Sequence, residues 1–486
     1  MLFNSLTYLV FLIVVIPLYW VLPRIYRRWL ILIASLVFYG FWRIEFVLLI
    51  TFSAFVDYYF SLKINDEKRV GWRRLWLFSS LTTNLGLLAY FKYTYFIVDN
   101  ISMLGNTLGQ EWAFSPGNII LPLGISFYTF LSISYTLDVY RRLFDPIRNF
   151  GIYLTYVMFW PHMIAGPILR AHELIPQILS LPHVKLVNVT DGIKMILTGL
   201  FLKVMLADQL APWVDEAFAA APSSLGGLDV WTMAFGFGLQ IYFDFAGYSM
   251  IAIGSALLIG IHFPENFNWP YLSTSPRDFW RRWHITLSSW IRDYLYLPLC
   301  GARFQDNSEV GIDVQAYERK SGFMRLTIAL FVAWFIMGLW HGAGWNFALW
   351  GVWHATFILA YRGCSGWLPK VPERFKLLIG WTLTLPIIML GWIPFRADSL
   401  AMSLELLGRI LDFPSYRALG FRENFYLLVF VITCGMLIAY FVTHVKNPLL
   451  NGAWVRNISE FITLSVMIFL LFIFLRPVSQ FIYFQF

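Results

Sequence analysis

Long stretches of apolar residues alternate with short polar segments along the whole chain. Many of these stretches reach the roughly 18 residues that a helix needs to cross a bilayer, whereas a transmembrane barrel would show strands of about ten alternating residues. The pattern therefore predicts an all-α membrane protein with roughly 11–13 transmembrane or re-entrant helices. Spans are predicted to begin near residues 5, 29, 44, 75, 118, 190, 230, 326, 346, 376, 425 and 457.

The apolar stretches are spread evenly, so we expect a single polytopic domain over residues 1–486. One region interrupts the pattern: residues 264–325 are rich in charge and are predicted to form an amphipathic helical region on the cytoplasmic side. Prolines and a glycine break the apolar run at residues 159–167, which predicts a re-entrant element there. Residues 400–411 are predicted to form a short amphipathic helix.

The composition supports a membrane protein, because 59% of the residues are hydrophobic and only 13% are charged, against about 25% charged in soluble domains. The net charge is +8, but the basic residues lie in loops between apolar stretches. The positive-inside rule explains them better than nucleic-acid binding does. The three cysteines are far apart and show no CxxC spacing, so neither a disulfide framework nor a zinc site is indicated.

Two histidines lie in the longest uncharged stretch. Residues 326–361 run for 36 positions without Asp, Glu, Lys or Arg, yet include His341 and His354. Ionisable groups are costly in a bilayer and mark functional sites. An imidazole titrates near neutral pH and can accept a hydroxyl proton, and Gly342 and Gly344 favour a helix break beside His341. The alternative is that His341 is a core histidine, hydrogen-bonded to a neighbouring helix.

Residues 276–298 are predicted to form one amphipathic helix, because polar and aromatic positions recur at spacings of three and four. Its polar face would carry Arg277, Arg281, His284, Ser288 and Arg292. Arginine forks suit phosphates, so Arg277, Arg281 and Arg282, with Trp283, are candidates for binding a pyrophosphate-bearing donor such as coenzyme A. The alternative is an interfacial helix whose arginines reach into the lipid headgroups.

Polar residues also interrupt the apolar stretch around residue 240. Gln240, Tyr242 and Asp244 are candidates for contact with a substrate or for a structural polar role. For Asp244 we favour a buried carboxylate that pairs with an arginine of another helix, because buried charges are nearly always paired. The alternatives are that it orients a catalytic histidine or binds a cationic substrate. The chain has no metal-binding signature, no phosphate-binding glycine loop and no GxSxG motif, so we expect no metal and no tightly bound cofactor.

Three stretches together resemble the membrane-bound O-acyltransferase (MBOAT) family. They are QIYFDFAG at residues 240–247, the Trp- and Arg-rich segment at 278–294, and LWHGAGWNF at 339–347. The likeness runs along the whole chain. Within the family, the chain most resembles the bacterial branch that contains the alginate O-acetyltransferase membrane subunit and the teichoic acid D-alanine transfer protein. Residues 3–5 and 165–170 favour the alginate side of that branch.

The resemblance implies helices around a central tunnel, with the family's histidine at His341 and its second polar position at His284. It implies acetyl transfer from cytoplasmic acetyl-coenzyme A across the bacterial inner membrane, through an extracytoplasmic acetyltransferase partner, to an exopolysaccharide or cell-wall glycan. A carrier-protein donor is the alternative that the D-alanine relative suggests.

Two other classes stay open on the residues alone. One is a polysaccharide or lipid transporter, although the inverted repeats of many secondary transporters are not evident. The other is a scaffold subunit of a polymer-synthesis complex.

Overall fold

The computed structural model describes most of the chain. It leaves out residues 111, 113, 114, 165, 182, 184, 302–321, 365–371, 445–452, 475–480 and 483–486, and the side chains of 373, 374, 453 and 455–457. Part of the charged region predicted at 264–325 therefore lies outside the described residues. The described residues form helices and contain no strand, which confirms the all-α prediction.

The helices follow the apolar pattern of the sequence closely, and every predicted span coincides with one of them. In chain order they are α1 (Leu6–Val21), α2 (Arg24–Gly40), α3 (Ile44–Asp66), α4 (Val70–Leu88), α5 (Thr94–Thr107), α6 (Ile125–Tyr140), α7 (Phe150–Met158), α8 (Ala171–Ser180), α9 (Leu186–Phe201), α10 (Asp208–Ala219), α11 (Gly227–Leu258), α12 (Pro276–Arg282), α13 (Ile285–Ile291), α14 (Leu297–Cys300), α15 (Phe323–His341), α16 (Trp345–Cys364), α17 (Glu373–Arg396), α18 (Leu400–Arg409), α19 (Glu423–His444) and α20 (Ala453–Ile473). The short helix predicted at 400–411 is present as α18. Helices α5, α7, α8 and α10 have no counterpart among the predicted spans.

Five helices of the described chain are long and apolar enough to cross a membrane. They are Ile44–Asp66, Gly227–Leu258, Phe323–His341, Phe375–Arg396 and Glu423–His444. Leu6–Val21 and Ile458–Ile473 are shorter apolar helices. This content makes the chain a membrane protein, since about 20 apolar residues in a helix match the thickness of the hydrocarbon layer.

Contacts between Cα atoms divide the chain into two compact units. The first comprises Met1–Ile193, Ala252–Pro264 and Arg292–Gly322, and the second comprises Lys194–Ile251, Glu265–Ile291 and Phe323–Phe486. Each unit has a core of its own.

In the first unit, α3 packs against α4, α6 and α7, and α6 is buried over most of its length. The Tyr8 hydroxyl donates to Ser255 Oγ at 2.7 Å, which fastens α1 to the end of α11. The break predicted at residues 159–167 is present: α7 ends at Met158, and the chain continues through turns in which Trp160 and His162 are buried. Irregular backbone at membrane depth is tolerated only when protein covers it in this way.

In the second unit, α11 is almost entirely enclosed, and α15 and α16 form a hairpin with very close backbone packing. A Cβ added at Gly338 would lie 2.2 Å from the Phe347 carbonyl oxygen, and one added at Gly351 would lie 2.2 Å from the Trp334 carbonyl oxygen. Only glycine permits this approach. The hairpin connection, residues 342–344, is the helix break expected beside His341.

The single helix predicted for residues 276–298 is broken, so that prediction was wrong. Helix α12 ends at Arg282 and α13 begins at Ile285. Between them His284 adopts a left-handed backbone, with φ of 41°. Residues with a Cβ rarely adopt this conformation, and an α-helix cannot continue through it.

The segment after α11 supplies the hydrogen bonds that the broken helix gives up. The Ile285 N–H donates to the Asn266 carbonyl oxygen, and the Asn268 N–H donates to the Arg282 carbonyl oxygen, both at 2.9 Å. Local periodicity could not reveal these partners, since they lie 14 or more residues away in the chain. The break turns His284 into the interior and removes it from the predicted arginine face.

The close packing of the hairpin predicts that Gly351→Ala destabilises the protein. The added methyl group would collide with the Trp334 carbonyl, and overpacking of this kind costs about 1–3 kcal/mol, which lowers the melting temperature by several degrees. Gly363→Ala on the same helix is the matched control, because nothing lies within 4 Å of its added Cβ. Thermal unfolding of the full chain in detergent measures both, and equal melting temperatures would contradict the packing of α15 on α16.

Candidate active site

His341 is the last residue of α15 and is almost completely buried, with 4% of its surface exposed. The helix ends there because Gly342 and Gly344 follow, and the Phe347 ring occupies the space where a Cβ of residue 342 would lie. A helix C-terminus carries partial negative charge, which favours a positive charge on a nearby group. The backbone at the end of α15 would therefore stabilise a positive charge on the His341 ring.

Aromatic rings enclose His341. Its ring centroid lies 4.8 Å from that of Trp340, 4.9 Å from Trp350 and 5.2 Å from Phe395, all at steep interplanar angles. Rings in this arrangement exclude water and position the imidazole. Electrostatic interactions are stronger where water is excluded, so the charges and dipoles of the protein act strongly on this imidazole.

Asn346, at the start of α16, links α16 to the end of α17, and these two helices carry Trp350 and Phe395 of the enclosure. Its side-chain Nδ2 donates to the carbonyl oxygens of Pro394 at 3.2 Å and Ala397 at 2.8 Å. These acceptors flank Phe395 at the end of α17, so the amide holds Phe395 against His341. Asn346 is itself buried.

His354 lies one turn after Trp350 on α16 and is also buried. Trp280 Nε1 donates to its Nδ1 at 3.4 Å, and its ring centroid lies 4.8 Å from Trp350 and 5.6 Å from Trp334. The long hydrogen bond and the surrounding rings make His354 a packed interior residue that shares Trp350 with His341.

His284 is fully buried at the break between α12 and α13. Its Nδ1 lies 3.0 Å from the side-chain oxygen of Asn266, which also accepts from the Thr286 hydroxyl at 3.0 Å and the Thr286 backbone N–H at 3.4 Å. The Asn266 amide nitrogen donates to Ser249 Oγ at 3.2 Å. Asn266 therefore fixes both the backbone and the side chain of the break.

This network determines the tautomer of His284. A backbone N–H can only donate, so the Asn266 atom that faces Thr286 is the carbonyl oxygen. The same oxygen faces His284 Nδ1, which must therefore carry the proton, and Nε2 is left as the basic nitrogen. Burial lowers the pKa of His284 to about 3, which keeps the ring neutral at physiological pH.

The two candidate histidines belong to one aromatic cluster. Trp350, which contacts His341, has its ring centroid 6.2 Å from that of Trp392. The Trp392 centroid in turn lies 4.8 Å from that of Trp283. Trp283 directly precedes His284. The cluster brings the sequence-predicted residues His341, His284 and Trp283 into a single core of the second unit.

The candidate arginines differ in their surroundings. Arg281 is exposed, whereas Arg277 and Arg282 are half-buried. Arg282 Nε lies 3.1 Å from the Asp278 carboxylate, one turn earlier on α12. Trp283 is 1% exposed and stacks inside the aromatic cluster, away from any surface where a phosphate would meet the arginines. Arg281 is therefore the most accessible of these cations for an anionic ligand.

The polar residues of α11 are all buried. Gln240 is 8% and Tyr242 is 9% exposed, and the Tyr242 ring packs 5.4 Å from that of Tyr271 and 6.2 Å from Trp283. Gln240 Oε1 has no hydrogen-bond partner among the described residues. Tyr242 thus borders the aromatic cluster that holds the histidines.

Asp244 has the structural role that the sequence favoured, but the predicted arginine partner was wrong. Its carboxylate lies 2.5 Å from Lys203 Nζ and accepts a hydrogen bond from the Ile482 backbone N–H at 2.8 Å. Lys203 also pairs with Asp208 at 2.8 Å. Sequence pattern could identify the need for a cation, but it could not choose between a lysine and an arginine.

Asn266 and Asn346, which position the groups around the histidines, were not among the residues predicted from the sequence. Both are single amides in or beside loops, and their value comes from partners distant in the chain, so no local spacing reveals them. The described side chains contain no group of three or more His, Cys, Asp or Glu residues that could hold a metal ion. What the arrangement offers is a buried imidazole at a helix end with a second, neutral imidazole in the same core.

Comparison with known proteins identifies the kind of enzyme. The MBOAT, membrane-bound O-acyltransferase family, matches residues 86–311. The chain is 38% identical over 415 residues to the probable alginate O-acetylase of Azotobacter vinelandii, which covers 85% of this chain and 78% of that protein. It is 34% identical over 411 residues to the peptidoglycan O-acetyltransferase of Helicobacter pylori, covering 79% and 73%.

A more distant similarity, 29% over 302 residues, covers 59% of this chain and 72% of the teichoic acid D-alanyltransferase of Bacillus subtilis. The relatives thus share the transfer of an acyl group to a polymer. With identity above 30% across most of both proteins, the chain belongs to the membrane-bound O-acyltransferase family and is an O-acyltransferase.

Proposed function

We propose that this O-acyltransferase moves acetyl groups from cytoplasmic acetyl-coenzyme A across the bacterial inner membrane for O-acetylation of a secreted polysaccharide or cell-wall glycan. Identity to the acetyl-transferring relatives is 34–38%, against 26–29% to the D-alanyltransferases, which supports acetyl as the group. The observation that carries the proposal is His341, a buried imidazole at a helix C-terminus among aromatic rings. Release on the far side calls for an extracytoplasmic acetyltransferase partner.

The reaction needs one proton acceptor. The oxygen of an acceptor hydroxyl attacks the thioester carbonyl carbon, a C–O bond forms, and the C–S bond breaks. His341 accepts the hydroxyl proton and returns it to the departing thiolate, so the ring ends the cycle as it began. The aromatic enclosure supplies orientation, and a well-placed base and nucleophile contribute far more than basicity alone.

His284 is the second polar group of the proposed mechanism. Asn266 holds its Nδ1–H, so the neutral ring presents Nε2 as a hydrogen-bond acceptor in the same aromatic core. It can orient the acceptor hydroxyl without taking up a charge. The donor's phosphates bind at α12, where Arg281 is the exposed cation and Arg277 and Arg282 flank it.

His341→Ala is predicted to reduce acetyl transfer by about a hundredfold to ten-thousandfold, because general-base catalysis contributes that much. Membrane vesicles given labelled acetyl-coenzyme A report transfer to the polymer fraction. His444→Ala, at an exposed histidine, is the matched control and should transfer like the wild type. A folded His341→Ala protein that transfers at the wild-type rate would contradict the assignment.

Arg281→Ala is predicted to raise KM for acetyl-coenzyme A about tenfold with little change in kcat, since a charge-assisted contact to phosphate is lost in the ground state and transition state alike. Acetyl-pantetheine, which lacks the nucleotide phosphates, should be used equally by the variant and the wild type. Arg74→Ala removes an exposed arginine elsewhere and controls for net charge. An unchanged KM in Arg281→Ala would remove Arg281 from the donor site.

His284→Asn is predicted to reduce the acid sensitivity of the fold. The folded pKa is about 3 against an ordinary 6.5, so between these values the unfolded chain binds more protons. The free energy of unfolding therefore falls as the pH falls below about 6.5, by up to about 1.4 kcal/mol per pH unit. Asparagine tolerates the left-handed backbone and does not titrate.

Melting temperatures at pH 7 and pH 5 test this prediction. The wild type should lose more stability than His284→Asn across that interval, and His444→Asn should behave like the wild type. An identical loss in the wild type and His284→Asn would show that His284 is not held neutral by burial.

A further inference from the structure

A groove of about 430 Å³ lies between α11 and α19 in the second unit. Its lining positions run from Leu228 to Phe235 on α11 and from Glu423 to Thr433 on α19, at spacings of three and four residues. This spacing selects one face of each helix. Both helices are long and apolar enough to span a membrane, and none of the proposed acyl-transfer residues lines the groove.

The two helices are fastened to each other beside the groove and run in the same direction. Just before α19, the Gly420 N–H donates to the Asp229 carboxylate at 3.1 Å, close to the start of α11. Further along, a Cβ added at Gly236 would lie 3.0 Å from the Phe425 ring. Both helices therefore begin at the same end of the groove, which places that end at the membrane surface.

The groove has the depth of one leaflet. Glu423 and Thr433 are ten residues apart on α19, which corresponds to about 15 Å of helix at 1.5 Å per residue. The hydrocarbon layer of a bilayer is about 30 Å thick. The groove thus extends from the membrane surface to about the middle of the bilayer.

The two threonines of the groove present hydrocarbon to it. The Thr232 hydroxyl donates to the Leu228 carbonyl oxygen at 2.9 Å, and the Thr433 hydroxyl donates to the Val429 carbonyl oxygen at 2.7 Å. Each hydroxyl is bonded to the backbone of its own helix, so its hydrogen-bonding capacity is used within the protein. An occupant of the groove meets mainly apolar surface at these positions.

The remaining polar groups of the walls are also satisfied, except at the surface end. Trp231 Nε1 donates to the Tyr416 hydroxyl at 3.1 Å, and the Tyr426 hydroxyl donates to Asp229. Glu423 is the single charged residue that lines the groove, and it is exposed. The groove therefore combines an apolar length with one negative charge where it reaches the membrane surface.

The size of the groove favours a hydrocarbon chain over a helix of a partner protein. A helix with its side chains is at least about 10 Å wide, so a volume of this size would hold about one turn. The same volume corresponds to roughly 14 groups of the size of a water molecule, at about 30 Å³ each. A methylene group has a similar size, so one acyl chain fills the groove.

The charge selects the headgroup. Lipid tails are as apolar as the helices that they contact, so burial alone does not distinguish one lipid from another. The Glu423 carboxylate attracts an ammonium group, which can also donate hydrogen bonds to it, and repels an anionic headgroup. A quaternary ammonium lacks these donors.

We propose that the groove between α11 and α19 binds a phospholipid with a primary ammonium headgroup, of the phosphatidylethanolamine type. One acyl chain lies along the groove between Phe235 and Thr433, and the ammonium group binds the Glu423 carboxylate. The bound lipid fills the space between two membrane-spanning helices and supports the packing of α19 on α11.

Native mass spectrometry of the delipidated full chain tests the headgroup. The chain is titrated with phosphatidylethanolamine, phosphatidylcholine or phosphatidylglycerol that carry the same acyl chains. The wild type should bind the ethanolamine lipid about fivefold more tightly than the glycerol lipid, as expected for one partly exposed ion pair. Glu423→Gln should lose this preference, and Glu405→Gln, at an exposed glutamate of α18, should keep it. Equal binding of the three lipids by the wild type would overturn the proposal, as would an unchanged preference in Glu423→Gln.

Thr433→Trp tests the groove itself, because an indole at this position occupies the space of the acyl chain. The variant should lose one tightly bound phosphatidylethanolamine per chain. Leu427→Trp is the matched control, since Leu427 is 60% exposed on the same helix and does not line the groove. A folded Thr433→Trp protein that retains the lipid would contradict the site. If it retains the lipid but no longer binds a partner protein, the groove is a protein interface and the proposal is overturned. If Thr433→Trp fails to fold, Glu423→Gln decides.

Discussion

A polar group withdrawn from water must find its partners inside the protein, and this constraint shapes each functional feature of the molecule. In the second unit it pairs Asp244 with Lys203 and places Asn266 against His284 and Thr286. The partners are distant in the chain, so each buried polar residue fastens separate segments together. The interior of this membrane protein is organised by such local requirements as much as by apolar packing.

The need of buried polar groups for partners has its largest consequence at the break between α12 and α13. Asn266 offers its backbone oxygen to Ile285 and its side-chain oxygen to His284 and Thr286, so the polar groups exposed by the break find partners inside the protein. His284 therefore lies in the same aromatic cluster as His341, and not on the polar helix face where the sequence placed it. Both imidazoles are buried among aromatic rings, so their hydrogen bonding is set by protein groups.

The positions of the helices could be predicted from the sequence, whereas the partners of the buried polar residues could be predicted only in part. The apolar pattern located the helices, because hydrophobic periodicity is a local property. The uncharged stretch likewise singled out His341, which the structure buries at the end of α15; its catalytic role stays a prediction. The pairing of Asp244 was predicted from its burial, yet its partner Lys203 was not. The interior position of His284 was missed, since helical periodicity assumes that the helix continues. That assumption fails where a distant residue such as Asn266 offers better partners.

The central claim is that His341 holds the proton of an acceptor hydroxyl beside the thioester of the donor. A cryo-EM structure of the full chain with a non-reactive thioether analogue of acetyl-coenzyme A tests it most directly. The account predicts that the acyl carbon lies within about 6 Å of the His341 ring, which leaves room for one hydroxyl oxygen about 3 Å from each. An analogue bound with its acyl end outside the aromatic enclosure of His341 would contradict the account.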